Sequence, residues 1–187
     1  MKGLRIMTIL GAVIMLNAAI IWGGGPQPQR LFARLSGFNE TPQAISTAAQ
    51  GTFKAEIINE TSINFTLSYS GLEGNVTQAH IHFGRPAITG GITIWLCGTA
   101  TNPGPAGTLA CAAPSGTVTG VVDASDVIGP AGQGIAAGEF AEVLRAIRGG
   151  ATYANVHSSL YPSGEIRGPI HVIKKKNDHD DDDDHDD

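Results

Sequence analysis

The chain has 187 residues, room for one domain of ordinary size with appendages. Aromatic residues at 6% and charged residues at 16% are scarce while 25 glycines and 10 prolines are abundant, which excludes a coiled coil or helical bundle and predicts many short strands joined by turns. The net charge of -5 is a terminal effect, because eight of the seventeen acids fall in the last ten residues; the rest of the chain is close to neutral, which excludes a broad basic nucleic-acid face.

Residues 1–22 begin with Lys2 and Arg5 and then run apolar to Trp22, the order of an export signal. The apolar stretch is at the lower edge of what crosses a bilayer. A cleaved signal and a retained N-terminal anchor are therefore the two readings. Both put the body outside the cytoplasm, secreted, extracellular or periplasmic, with the membrane as a partner only if the anchor is kept. Residues 23–30 are a Gly/Pro/Gln linker, and a folded domain is expected over 31–173. Phe53, Ala55 and Ile57 alternate with Lys54 and Glu56, as Ile63, Phe65, Leu67 and Tyr69 alternate with Asn64, Thr66 and Ser68, the period of half-buried strands. Further strands are expected over 78–83, 91–96, 116–121, 152–157 and 165–172, with turns at 71–75, 84–90 and 161–164. Cys97 and Cys111 flank a Gly/Pro/Thr/Ala segment with no metal knuckle or redox motif near it, so an exported chain is expected to join them as a disulfide. Asp123 and Asp126 beside Ser125 read as turn and cap residues. Over 137–148, Phe140, Val143, Leu144 and Ile147 recur at helical spacing before Gly149-Gly150, a single helix inside a run of strands. The expected fold is all-β, an antiparallel sandwich or Greek-key barrel, immunoglobulin-like or superoxide-dismutase-like, with one short helical crossover.

Three of the six histidines belong together. On a strand, His80 and His82 project their imidazoles from one face about 7 Å apart along the chain, which is half of a nitrogen-rich site for copper or zinc. His157, at the end of a later strand, supplies a third ligand if that strand lies beside or opposite the first. The alternative is that these rings are hydrogen-bonded groups holding neighbouring loops. Glu165 and Arg167 alternate across Ile166 and are expected to pin loops, with anion binding by Arg167 beside His157 as the other reading. Trp95 and Tyr153 read as core.

Four spaced motifs carry a family resemblance. Ala33-Arg34-Leu35-Ser36-Gly37 with Glu40-Thr41-Pro42, then Ala79-His80-Ile81-His82, then Tyr153-Ala154-Asn155-Val156-His157, then Pro162-Ser163-Gly164-Glu165-Ile166-Arg167-Gly168 together resemble the CHRD domain, named from chordin and widespread in secreted microbial proteins. The resemblance spans about 31–172 and implies a compact, exported antiparallel β domain with a role in extracellular binding or assembly. Locally, His80-Ile81-His82-Phe83-Gly84 is similar to the strand that holds copper in copper/zinc superoxide dismutases. The zinc loop of those enzymes has no counterpart between Phe83 and Cys97, so at most a mononuclear copper site carries over.

Lys174-Lys175-Lys176 leads into a tail, 174–187, whose density of like charge cannot pack. Its Asp178, His179, Asp180 and His185 suit a cation collector, the carboxylates for calcium and the imidazoles for transition metals. The leading expectation is a secreted, non-enzymatic binding domain with metal ions as partners, alongside extracellular proteins or self-assembly. A subunit of an extracellular matrix or filament is the structural alternative, and a copper-dependent dismutase-like enzyme the third.

Overall fold

The computed structural model describes residues 28–173; the N-terminal segment, most of the linker and the Lys-Asp-His tail lie outside the described residues. The described residues form nine strands: β1 (Gln29–Ser36), β2 (Gln50–Ile58), β3 (Ser62–Ser70), β4 (Val76–Phe83), β5 (Gly91–Gly98), β6 (Gly116–Asp123), β7 (Thr152–Ser158), β8 (Ile166–Pro169) and β9 (His171–Val172). They form one sheet in the order β5-β4-β7-β8-β1-β2-β3-β6, with β9 also paired to β1. Every pairing is antiparallel. The sheet curls until its two ends approach, and the amide of Ile128, just after β6, donates to the Thr93 carbonyl of β5 at 2.9 Å. The result is a nearly closed barrel, the all-β fold expected.

Alternation puts the core inside. Leu31, Ala33 and Leu35 of β1, Phe53, Ala55 and Ile57 of β2, and Ile63, Phe65 and Leu67 of β3 are buried with their even-numbered neighbours turned outward. The helix α1 (Phe140–Arg148) links β6 to β7 and buries Phe140, Val143, Leu144 and Ile147, an apolar stripe at the i, i+3, i+4, i+7 positions. It starts three residues later than the periodicity predicts, because Gly138 sits at φ +84° and turns the chain just before Glu139. The expected strand over 165–172 is divided. Pro169 has no amide to donate, and the next amide, that of Ile170, bonds Thr152 of β7 at 3.0 Å instead of continuing the ladder to β1. Asp123 and Asp126 form a reciprocal capping box around a single 3-10 turn.

Cys97 and Cys111 are joined in a disulfide, with Cα atoms 4.9 Å apart and a sequence separation of 14. Closing a loop of that size is worth about 3 kcal/mol in the chain-entropy picture. The double variant Cys97→Ala/Cys111→Ala is therefore expected to unfold at lower urea with a stability loss near that figure. An unchanged midpoint would show that the loop is already constrained by its other contacts.

Candidate metal centre

Register brings the three expected histidines together. In an antiparallel pair, directly opposite residues share a face. Gln78 faces His157, His80 faces Asn155 and His82 faces Tyr153 across β4 and β7. Trp95 of β5 pairs with His80 on the other side, and Arg167 of β8 pairs with Asn155. Trp95, His80, Asn155 and Arg167 thus form one row across four strands. Their neighbours along each strand, Ala79, Ile81, Ala154, Val156 and Ile166, point the other way and belong to the core. The polar row lies on the outer face of the barrel.

That face is nevertheless covered, because His80 is fully buried and His82 and His157 are 7% and 6% exposed. Loops remote in sequence form the roof. From residues 37–49, Glu40 accepts from the Asn155 amide at 2.7 Å, and Thr41 accepts from Arg167. From residues 84–90, the Gly90 carbonyl meets His82 Nδ1 at 3.0 Å, and the Gly90 amide donates to the Tyr153 hydroxyl at 3.1 Å. From residues 159–165, the Pro162 carbonyl meets His157 Nδ1 at 2.9 Å. The disulfide-closed loop completes the cover. Asn102 donates to Gln78, and Gly104 lies against the Trp95 indole at φ +69°, where a Cβ would fall 2.6 Å from the ring. Gly164 is constrained likewise, since at its φ of +129° a Cβ would lie 2.7 Å from the Glu40 carboxylate.

These contacts fix two tautomers. A carbonyl only accepts, so His82 and His157 each carry the proton on Nδ1 and turn the lone pair of Nε2 inward. His157 Nε2 lies 3.3 Å from His80 Nδ1. Neither His80 Nε2 nor His82 Nε2 has a hydrogen-bond partner, although both are buried. The ring centroids are 5.0 Å apart for His80 and His157, 5.3 Å for His80 and His82, and 6.0 Å for His82 and His157. One nitrogen from each residue lies within 4.8 Å of the other two. Burial, together with repulsion among the rings, drives His80 down to about 2, and burial drives His82 down to about 4. Burial also lowers His157. All three are neutral at physiological pH, the protonation state that ligates metal.

The other expected residues are placed differently. Glu165 and Arg167 do not engage each other in a hydrogen bond. Glu165 Oε1 accepts from the Thr47 hydroxyl at 2.9 Å and from the Glu73 amide at 2.7 Å. Arg167 donates to the carbonyls of Arg85 and Ile88 at 3.1 and 2.8 Å, and its guanidinium lies 3.4 Å from the centre of the Tyr153 ring. Both side chains are committed to loops, and neither belongs to the group of converging donors. Asp178, His179, Asp180 and His185 lie outside the described residues.

Sequence reasoning passed over three participants. Trp95 is not core but half-buried on the polar face, edge-on to His80 at 4.3 Å. Tyr153 is buried, but it stacks on His82 at 4.7 Å with the rings 3° from parallel, so it too belongs to the roofed side. Glu40 is 7% exposed, and desolvation outweighs the Asn155 hydrogen bond and the nearby Arg167 to raise it to about 7. The available signal was parity: Tyr153, Asn155 and His157 are spaced by two, as His80 and His82 are.

Among the described residues no helix is long and apolar enough to cross a membrane. No curated protein and no solved structure matches the chain. The CHRD domain family model matches residues 31–170, the span that contains all four motifs, the three histidines and every loop of the roof. The chain belongs to the CHRD domain family.

Proposed function

We propose that this is an exported, non-enzymatic CHRD-domain protein that binds one transition-metal ion, copper or zinc, through His80, His82 and His157, with the tail 174–187 collecting further cations. The observation that carries the reading is the pair of buried imidazole nitrogens without partners. An unpaired buried acceptor costs about 1–3 kcal/mol. Either tautomer of His80 leaves one of its nitrogens stranded, because both His157 and His82 already commit their protons to carbonyls. With the His80 proton on Nε2, the lone pairs of His80 Nδ1, His82 Nε2 and His157 Nε2 have no donor among the rings, and a cation between them takes all three. The 3.3 Å between His80 Nδ1 and His157 Nε2 matches the roughly 3.3 Å edge of a tetrahedron built on metal–nitrogen bonds of about 2.0 Å. The carbonyls of Gly90 and Pro162 hold the outer nitrogens, the arrangement that orients imidazole ligands.

Isothermal titration of the full chain with copper or zinc tests this against the His80→Ala/His157→Ala variant, in which any tail sites persist. The wild type is expected to bind one additional ion and to be stabilised by about 2.7 kcal/mol when that ion is present at a hundredfold excess over its Kd. Equal stoichiometry and equal thermal shift in the two proteins would remove the site.

A further inference from the structure

The charge and enclosure of this site go further than its ligand count. Resting on the reading of the three histidines as ligands, we infer that the site selects copper in the monovalent state over divalent copper and zinc. The converging donors are three imidazoles with no carboxylate or thiolate among them, so the ligand set contributes no negative charge. Surrounding charge does not make up the difference. Of the two buried carboxyls beyond the rings, Glu40 is hydrogen-bonded to Asn155 and faces the Arg167 guanidinium, and Glu165 is spent on the Thr47 hydroxyl and the Glu73 amide. That guanidinium rests on Tyr153, which stacks on His82. The cost of enclosing an uncompensated ion rises with the square of its charge, so a divalent ion is penalised about four times as heavily as a monovalent one.

Coordination number points the same way. Zinc and divalent copper call for four or more ligands, whereas three nitrogens suffice for monovalent copper. Two aromatic side chains stand against the rings. The Trp95 indole stands edge-on to His80 and the Tyr153 ring lies flat on His82. The remaining buried unpartnered side-chain atoms, Thr152 Oγ1 and Glu165 Oε2, are not in the converging group. Of the metals suited to imidazole, copper is the one with an accessible monovalent state; zinc has none.

The test is performed anaerobically on the full chain, with ascorbate keeping copper reduced and a colorimetric ligand for monovalent copper as competitor. X-ray absorption of the loaded wild type reads oxidation state and nitrogen count without any variant. The expected result is one reduced copper in a three-nitrogen environment, silent in paramagnetic resonance, and retained against zinc by roughly 100-fold in affinity. His80→Ala/His157→Ala should lose that ion while the tail still takes up divalent copper. Zinc or divalent copper held at the three histidines as tightly as monovalent copper, or a four- or five-coordinate spectrum, overturns this inference and leaves the metal site standing. Failure of every ion to reach the histidines overturns both.

Discussion

Replacing Arg167 with alanine is expected to lower the melting temperature of the metal-free domain by about 10–15 °C. Arg167 is 3% exposed, yet it serves the carbonyls of Arg85 and Ile88, the Thr41 hydroxyl and the face of Tyr153. Two loops remote from one another in sequence, 37–49 and 84–90, thus meet on one planar group. Alanine leaves two carbonyls without their donor and opens a void beside the Tyr153 ring. Hydrogen bonds to a charged donor are worth about 1.5–3 kcal/mol each, so the combined loss is about 3–5 kcal/mol. Arg167→Lys keeps the charge but not the fork, and should recover less than half of the loss. Scanning calorimetry in the presence of a chelator checks both. A shift below about 3 °C for alanine would mean that the loops are held by their other contacts.

Acidification of the metal-free domain should be the second large effect. His80, His82 and His157 all have pKa values below the ordinary 6.5 in the folded chain, so protons prefer the unfolded state. The stability tied to the neutral rings is complete above pH 6.5 and is lost as pH falls below it, toward about 4 for His82 and about 2 for His80. At pH 5 each of these two rings accounts for a loss of about 2 kcal/mol. Glu40 opposes them. Its folded value, raised from 4.5 to about 7, makes its contribution greatest below pH 4.5 and lost as pH rises through 7, so it gains as the rings lose. The profile should therefore decline gently between pH 7 and 5 and more steeply below about 4.5, where Glu40 has little further to give, reaching a net loss of about 3 kcal/mol by pH 4. Urea midpoints at pH 7.5, 5.5 and 4 measure this. Glu40→Gln removes the opposing phase and should steepen the decline between pH 7 and 5; a parallel profile would show that Glu40 is ionised in the folded domain.

The strands and the histidines were legible because both rest on a period of two. The alternation of Phe53 to Ile57 and of Ile63 to Tyr69 is set by one wet and one dry face, and β2 and β3 have such faces. His80 and His82 needed only a strand to share a side, and His157 needed only the pairing of β4 with β7. The roof was not legible. Residues 84–90 and 161–164 read as turns and Gly37 to Pro42 only as part of a motif, and nothing local says that these segments fold back over a sheet face. Glu40 looked like part of a motif and not like a buried carboxylate, because its burial comes from Asn155 and Gly164, more than a hundred residues away. Trp95 was misplaced for a different reason. The register between β4 and β5 shifts on either side of the His80–Ile81 pair, so simple alternation along β5 cannot say which neighbour faces an imidazole.

All seven residues of β7 are buried. Ala154 and Val156 contribute to the apolar interior, while Tyr153, Asn155 and His157 form the floor beneath the loops. A strand enclosed on both sides has no solvent-facing edge from which to fray, and its amides separate from their partners only when the whole domain opens. The donor atoms it carries and those paired to it accordingly inherit the rigidity of the molecule at large. The spacing of the three rings is therefore set by the domain itself, and the proposed ion would meet its donors already in place.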